Sequence, residues 1–174
     1  MTTTPKRANE PEPWLRGPVQ GVPPLLQPVA HALLQAIEDV RRVALPLDDR
    51  ALWARPGGAA SVGFHLRHAP GALDRLFTYA RGETLSPEQL AALKRETDPT
   101  GQGKSSASEL VAAFEAQVER ALAQLRSTRE ETLTERREVG RARLPSTVIG
   151  LLFHAAEHTQ RHVGQTIATA KVVG

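Results

Sequence analysis

Gly150-Leu-Leu-Phe-His-Ala-Ala-Glu-His-Thr-Gln-Arg-His-Val-Gly-Gln165 places His154, His158 and His162 at i, i+4 and i+8. On a helix, residues four apart lie one above the other on nearly the same face. Three of the chain's six histidines therefore share one stripe of one helix. Two imidazoles at that spacing can hold one divalent ion, as in zinc-binding helices. On a 100° wheel, Leu151, Leu152, Ala155, Ala156, Val163 and Ile167 form the apolar arc. His158 and His162 sit at its edge, and His154 turns further toward the polar side. The inward pair is then His158 and His162, with a hydrogen-bonded histidine cluster as the competing reading.

Working outward, the same periodicity marks three more long helices. The first starts between Pro23 and Pro28, runs through Leu26, Val29, Leu33, Ile37 and Val40, and stops at Pro46. The second has Ser61 near its N-cap, carries His65 and His68, contains Pro70-Gly71 and ends before Gly82. Ser106-Ala-Ser-Glu109 is a capping box opening the third, whose stripe is Leu110, Phe114, Val118, Ala121 and Leu125. The fourth begins at Pro145-Ser146 and continues to about residue 171. Pro87 to Glu96 reads as a short surface helix, 98–105 as a flexible loop, and 128–144 as irregular, with no convincing strand. Four amphipathic helices close most simply into an all-α four-helix bundle, and the long linkers imply a crossover connection. Residues 1–22 read as a proline-rich extended arm, with Trp14-Leu15 expected to tuck against the body, and 23–174 as a single domain.

Composition narrows the chemistry. The 174 residues are 40% hydrophobic and 4% aromatic, with a net charge of +3. Cysteine is absent, so disulfides, thiolate ligands and cysteine nucleophiles are excluded, and a metal site must draw on His, Asp or Glu. No apolar run spans a membrane and no signal-like h-region is evident, so a cytoplasmic location is expected. The basic run Arg136 to Arg143 lacks interleaved aromatics and reads as a solvated connector, so no nucleic-acid partner is expected. His31 reads as a rim histidine. Glu157 projects about 100° from His158 and reads as a surface carboxylate. Gln165 is open between hydrogen-bonding the site and packing. The third ligand is His65 or His68: periodicity favours His65, but the count assumes an unbent helix, and Pro70 interrupts it.

Ser61-Val-Gly-Phe-His-Leu-Arg-His68, followed by His158-Thr-Gln-Arg-His162-Val-Gly-Gln165, resembles the DinB-like (DinB/YfiT) family of metalloenzymes. The resemblance covers the chain from about residue 25. It implies a four-helix bundle with a crossover, often dimeric, and a divalent ion held by His68, His158 and His162, in conflict with the wheel at His65. Many members carry a further His-Arg before the closing Gly-Gln, whereas here Val163 follows His162 directly.

Zinc or nickel suits an all-imidazole set. Three neutral imidazoles would leave an open position on the ion and let it lower the pKa of water or a thiol. Position 159 is Thr, so the His-Glu-x-x-His chemistry of zincins is not indicated. The resemblance implies a small-molecule enzyme: a hydrolase, or a transferase that activates a low-molecular-weight thiol. The alternative is a non-catalytic, stress-associated helical homodimer with a structural metal or histidine cluster.

Overall fold

The computed structural model describes residues 10–96 and 105–174. The start of the proline-rich arm and almost all of the expected 98–105 loop lie outside the described residues. Among the described residues, six α-helices and one β-hairpin, with short 3-10 turns between them, make up the regular structure: α1 (Gln27–Ala44), α2 (Asp49–Trp53), α3 (Val62–Ala80), α4 (Pro87–Glu96), α5 (Ala107–Ser127), β1 (Arg136–Val139), β2 (Leu144–Thr147) and α6 (Val148–Val173).

The four long helices form where the apolar period predicts them, and their ends follow from side-chain caps. Ser61 Oγ accepts from the Phe64 amide at 3.1 Å and opens α3. Ser106 and Glu109 make the reciprocal capping box of α5, with the Ser106 amide donating to the Glu109 carboxylate at 2.8 Å. Gly82, at φ +79°, takes the left-handed conformation that stops α3.

Packing joins α1 to α6, α6 to α3, α3 to α5 and α5 back to α1. The four faces thereby close a ring around one core. Leu26, Leu33, Leu52, Leu66, Leu73, Phe77, Phe114, Leu122, Leu125 and Leu152 fill it, all fully buried. In this ring α1 and α3 stand on opposite sides, as do α5 and α6. The chain must cross the ring's end twice, which accounts for the length of the connections at 45–61 and 128–147. Each connection acquires structure of its own. In the first, Trp53 lays its ring against Gly63, donates its indole N–H to the Ser105 carbonyl at 3.1 Å and carries the Arg67 guanidinium over its face.

The second connection departs from the expectation. Where no strand was anticipated, Arg136–Val139 and Leu144–Thr147 pair antiparallel. Strands of four residues, one highly charged and the other holding a proline, carry too little alternation to be read from sequence. Tertiary contacts hold the hairpin: Val139 packs on the core, and Arg137 donates to the Ala80 carbonyl at 2.9 Å at the end of α3. Because Pro145 and Ser146 belong to β2, α6 starts at Val148 rather than at Pro145, with Thr147 Oγ1 capping the Gly150 amide. The arm also differs. Pro13 and Val22 are the buried residues, whereas Trp14 stays 60% exposed on a 3-10 turn, its indole bound to Glu12.

A Cβ at Gly63 would stand 2.8 Å from the Trp53 ring. Helix propensity alone would make Gly63→Ala stabilising by about 1 kcal/mol. The clash reverses the sign, and we expect a net loss of about 1 kcal/mol or more in urea unfolding.

Candidate metal centre

The centre lies between α3 and α6, the pair of helices with the most extensive packing in the molecule. Ala69 on α3 and Ala155 and Ala156 on α6 are among the small residues buried in these two helices. Thr159 and Thr166 are buried on α6 as well. Each returns its hydroxyl to the carbonyl four residues back, Ala155 at 2.8 Å and His162 at 2.9 Å, so neither leaves an unsatisfied group.

His68 from α3 and His158 and His162 from α6 each offer a ring nitrogen, and the three atoms lie within 4.8 Å of one another. It is the one such group of potential ligands among the described residues. His68 Nε2 faces His158 Nε2 at 3.2 Å. Phe64 stacks parallel to the His68 ring on one side, with centroids 5.5 Å apart.

The other expected positions separate clearly. His65 is 6% exposed and is placed inward, as the wheel indicated, but its Nδ1 meets His162 Nδ1 at 2.9 Å. It therefore stands behind His162, on the ring edge turned away from Nε2. His154 is exposed and lies 3.3 Å from the Glu157 carboxylate, which also pairs with Arg161. Glu157 is thus a solvent-side carboxylate, as its angle on the helix implied. Gln165 is exposed. His31 contacts the Gly17 carbonyl at 3.0 Å and fastens the arm to α1, remote from the centre in role as well as in sequence.

One residue escaped sequence reasoning altogether. Glu96, the last residue of α4, is 5% exposed and reaches His68 Nδ1 at 2.8 Å. Arg75 meets the same carboxylate with both terminal nitrogens, at 2.5 and 3.1 Å. The helix α4 is a short surface helix over the expected residues, and Glu96, its one buried side chain, is what it delivers to the site. It is fastened at its start by a reciprocal Ser86–Gln89 cap, and along its length by Gln89 donating to Asp74 and Thr78 of α3. A partial signal existed. His68, Gly71 and Arg75 fall at i, i+3 and i+7, one stripe of α3. The partner comes from 28 residues away in sequence and no periodicity announces it.

Electrostatics favours neutral imidazoles here. Burial, then the neighbouring His68, lowers the pKa of His65. Burial and the charges of His68, His154 and Arg161 likewise lower His158. His162 is pushed down to about 4, by burial first and then by His68, His158 and His65. At Glu96 burial by itself would raise the carboxyl, but the hydrogen bonds from His68 and Arg75 outweigh it and hold the group below its usual range. The cluster is therefore a set of lone pairs beside one anchored carboxylate.

These shifts dictate a pH dependence. The unfolded chain protonates its histidines near pH 6.5, while folded His65, His158 and His162 resist protonation. The metal-free protein is then most stable above pH 6.5 and loses stability as the pH falls toward about 4, because the unfolded state binds more protons. Allowing for partial exposure, His162 contributes on the order of 2 kcal/mol to that loss. Chelator-treated protein melted between pH 7.5 and 4.5 checks this, and His162→Asn should flatten the slope.

No curated protein matches the chain. The family profile of the DinB superfamily does, over residues 32–166, which takes in α3 and α5 whole, most of α1 and α6, and every residue of the histidine cluster. The chain belongs to the DinB superfamily.

Proposed function

We propose that the ring of helices is a four-helix bundle with crossover connections, and that it houses one divalent ion, zinc or nickel, on His68, His158 and His162. One observation carries this reading. His68 Nδ1 is engaged by the Glu96 carboxylate, so its proton belongs on Nδ1 and its Nε2 is a bare lone pair. That lone pair points at His158 Nε2 from 3.2 Å. Two imidazoles at this distance share either a cation or the N–H of a neutral His158, and the cation is the arrangement that also uses the third nitrogen of the group, on His162. A tetrahedral ion with bonds of ~2.05 Å holds its ligand atoms ~3.3 Å apart, which is the spacing of this edge.

The donor set also favours a reactive ion over a structural one. Structural zinc is normally closed by four protein ligands. Here three nitrogens converge, His65 is spent on His162, and His154 is turned to solvent. When bound, such an ion supplies Lewis acidity at an open position, enough to lower the pKa of water or of a thiol. Burial favours the neutral forms of His158 and His162, Glu96 orients His68, and the Phe64 ring walls one side of it.

The function that fits is a metal-dependent enzyme acting on a small molecule: a transferase for a low-molecular-weight thiol, or a hydrolase. The absence of cysteine is compatible with the thiol arriving with a cofactor. A cytoplasmic homodimer completes the reading. No helix among the described residues is long and apolar enough to cross a membrane. Large apolar side chains stand in solvent at Leu25 and Phe153, the latter 62% exposed, as surface for a second copy.

Elemental analysis of untagged protein should find one divalent ion per chain. His158→Ala and His162→Ala should abolish uptake, and His31→Ala should leave it intact. Stoichiometric metal in the His158 variant would overturn the assignment.

A further inference from the structure

We propose that Glu96, held by Arg75 and admitted by the missing side chain of Gly71, is the positioning residue that fixes the tautomer and orientation of His68 for metal capture. The inference rests on the three-histidine reading above and extends it to groups that touch no ion.

The argument begins with the cost of the arrangement. A carboxylate 5% exposed between two helices loses most of its hydration and persists only with strong compensation. Glu96 receives it from a guanidinium gripping both oxygens and from an imidazole N–H. Those donors do not share the carboxylate symmetrically. Arg75 reaches both Oε1 and Oε2, while His68 Nδ1 reaches Oε2 alone. Arg75 thus sets the plane of the carboxylate, and the carboxylate sets the rotation of the imidazole ring.

The backbone is shaped to the same end. A Cβ at Gly71 would overlap Glu96 Oε1 and stand 2.9 Å from Arg75 Nη1. Glycine in a helix interior is unfavourable relative to alanine, so this position carries a penalty that only the close approach of the carboxylate explains. Pro70 precedes it, and the two together occupy the turn of α3 between His68 and Arg75.

The consequence at the centre is specific. With Nδ1–H donated to Glu96, Nε2 is the only free lone pair of His68, and the ring cannot flip without breaking the bond. A histidine ligand whose second nitrogen donates to a carboxylate is both more basic and better oriented, and loss of such a partner costs 10- to 100-fold in metal affinity. Neither of the other two imidazoles has a carboxylate behind its ring among the hydrogen bonds of the described residues. His162 has His65, and His158 is held only by its neighbours.

The test uses the full-length protein in three forms: wild type, the double variant Glu96→Met/Arg75→Met, and Gly71→Ala. The double variant removes the carboxylate without leaving the guanidinium buried and unpaired, so folding is retained. Gly71→Ala keeps every polar group and only displaces the carboxylate. Circular dichroism confirms the fold of each. Long-range nitrogen–proton NMR of the metal-free proteins at pH 8 reads the His68 tautomer, and competition with a chromophoric chelator reads zinc affinity.

We expect wild type to hold His68 with its proton on Nδ1. Both variants should mix the tautomers, bind zinc 10- to 100-fold more weakly and show an altered visible spectrum when loaded with cobalt. Folded variants with wild-type tautomer and wild-type affinity would overturn the proposal. If wild type binds no metal, the metal-centre reading fails. The tautomer measurement then still decides whether Glu96 orients His68.

Discussion

The close packing of α3 against α6 is the constraint on which the rest depends. Every histidine of the cluster sits on one of these two helices. The caps at Ser61 and Thr147 belong to the same constraint, because each fixes where its helix starts and hence the register of the histidines along it. The connections serve it less directly. Trp53 braces the first turn of α3, and the hairpin ties the entry of α6 to the far end of α3 through Arg137.

Charge is distributed so that His65, His158 and His162 favour their neutral forms, while the one buried carboxylate of the site is paired with Arg75. Metal ligation requires the neutral imidazole, and burial favours that form at His158 and His162.

Much of this was legible in the sequence, and the reasons are physical. The helices announced themselves because an apolar stripe of period 3.6 is repeated over many turns, and the caps because Ser61 and the Ser106–Glu109 box are local signals. His158 and His162 were readable because their spacing is intrahelical. The choice between His65 and His68 was not, since a wheel reports which residue faces the core and not which nitrogen of a ring faces a particular neighbour. Both histidines in fact join the cluster, in different places: His68 contributes to the converging trio, and His65 backs His162. The resemblance to the DinB-like family pointed to His68 where periodicity pointed to His65. Glu96 lay beyond reach because its contacts depend on how α4 folds back across α3. The hairpin was missed because its strands are short and held by contacts distant in sequence.

The most direct measurement is X-ray absorption at the zinc edge of the stoichiometrically loaded protein. The account predicts three imidazole nitrogens at about 2.0–2.1 Å and one or two further light atoms from outside the chain. Four imidazoles would mean a closed, structural centre. Fewer than three would mean that His68, His158 and His162 do not together hold the ion, and either result would contradict the account.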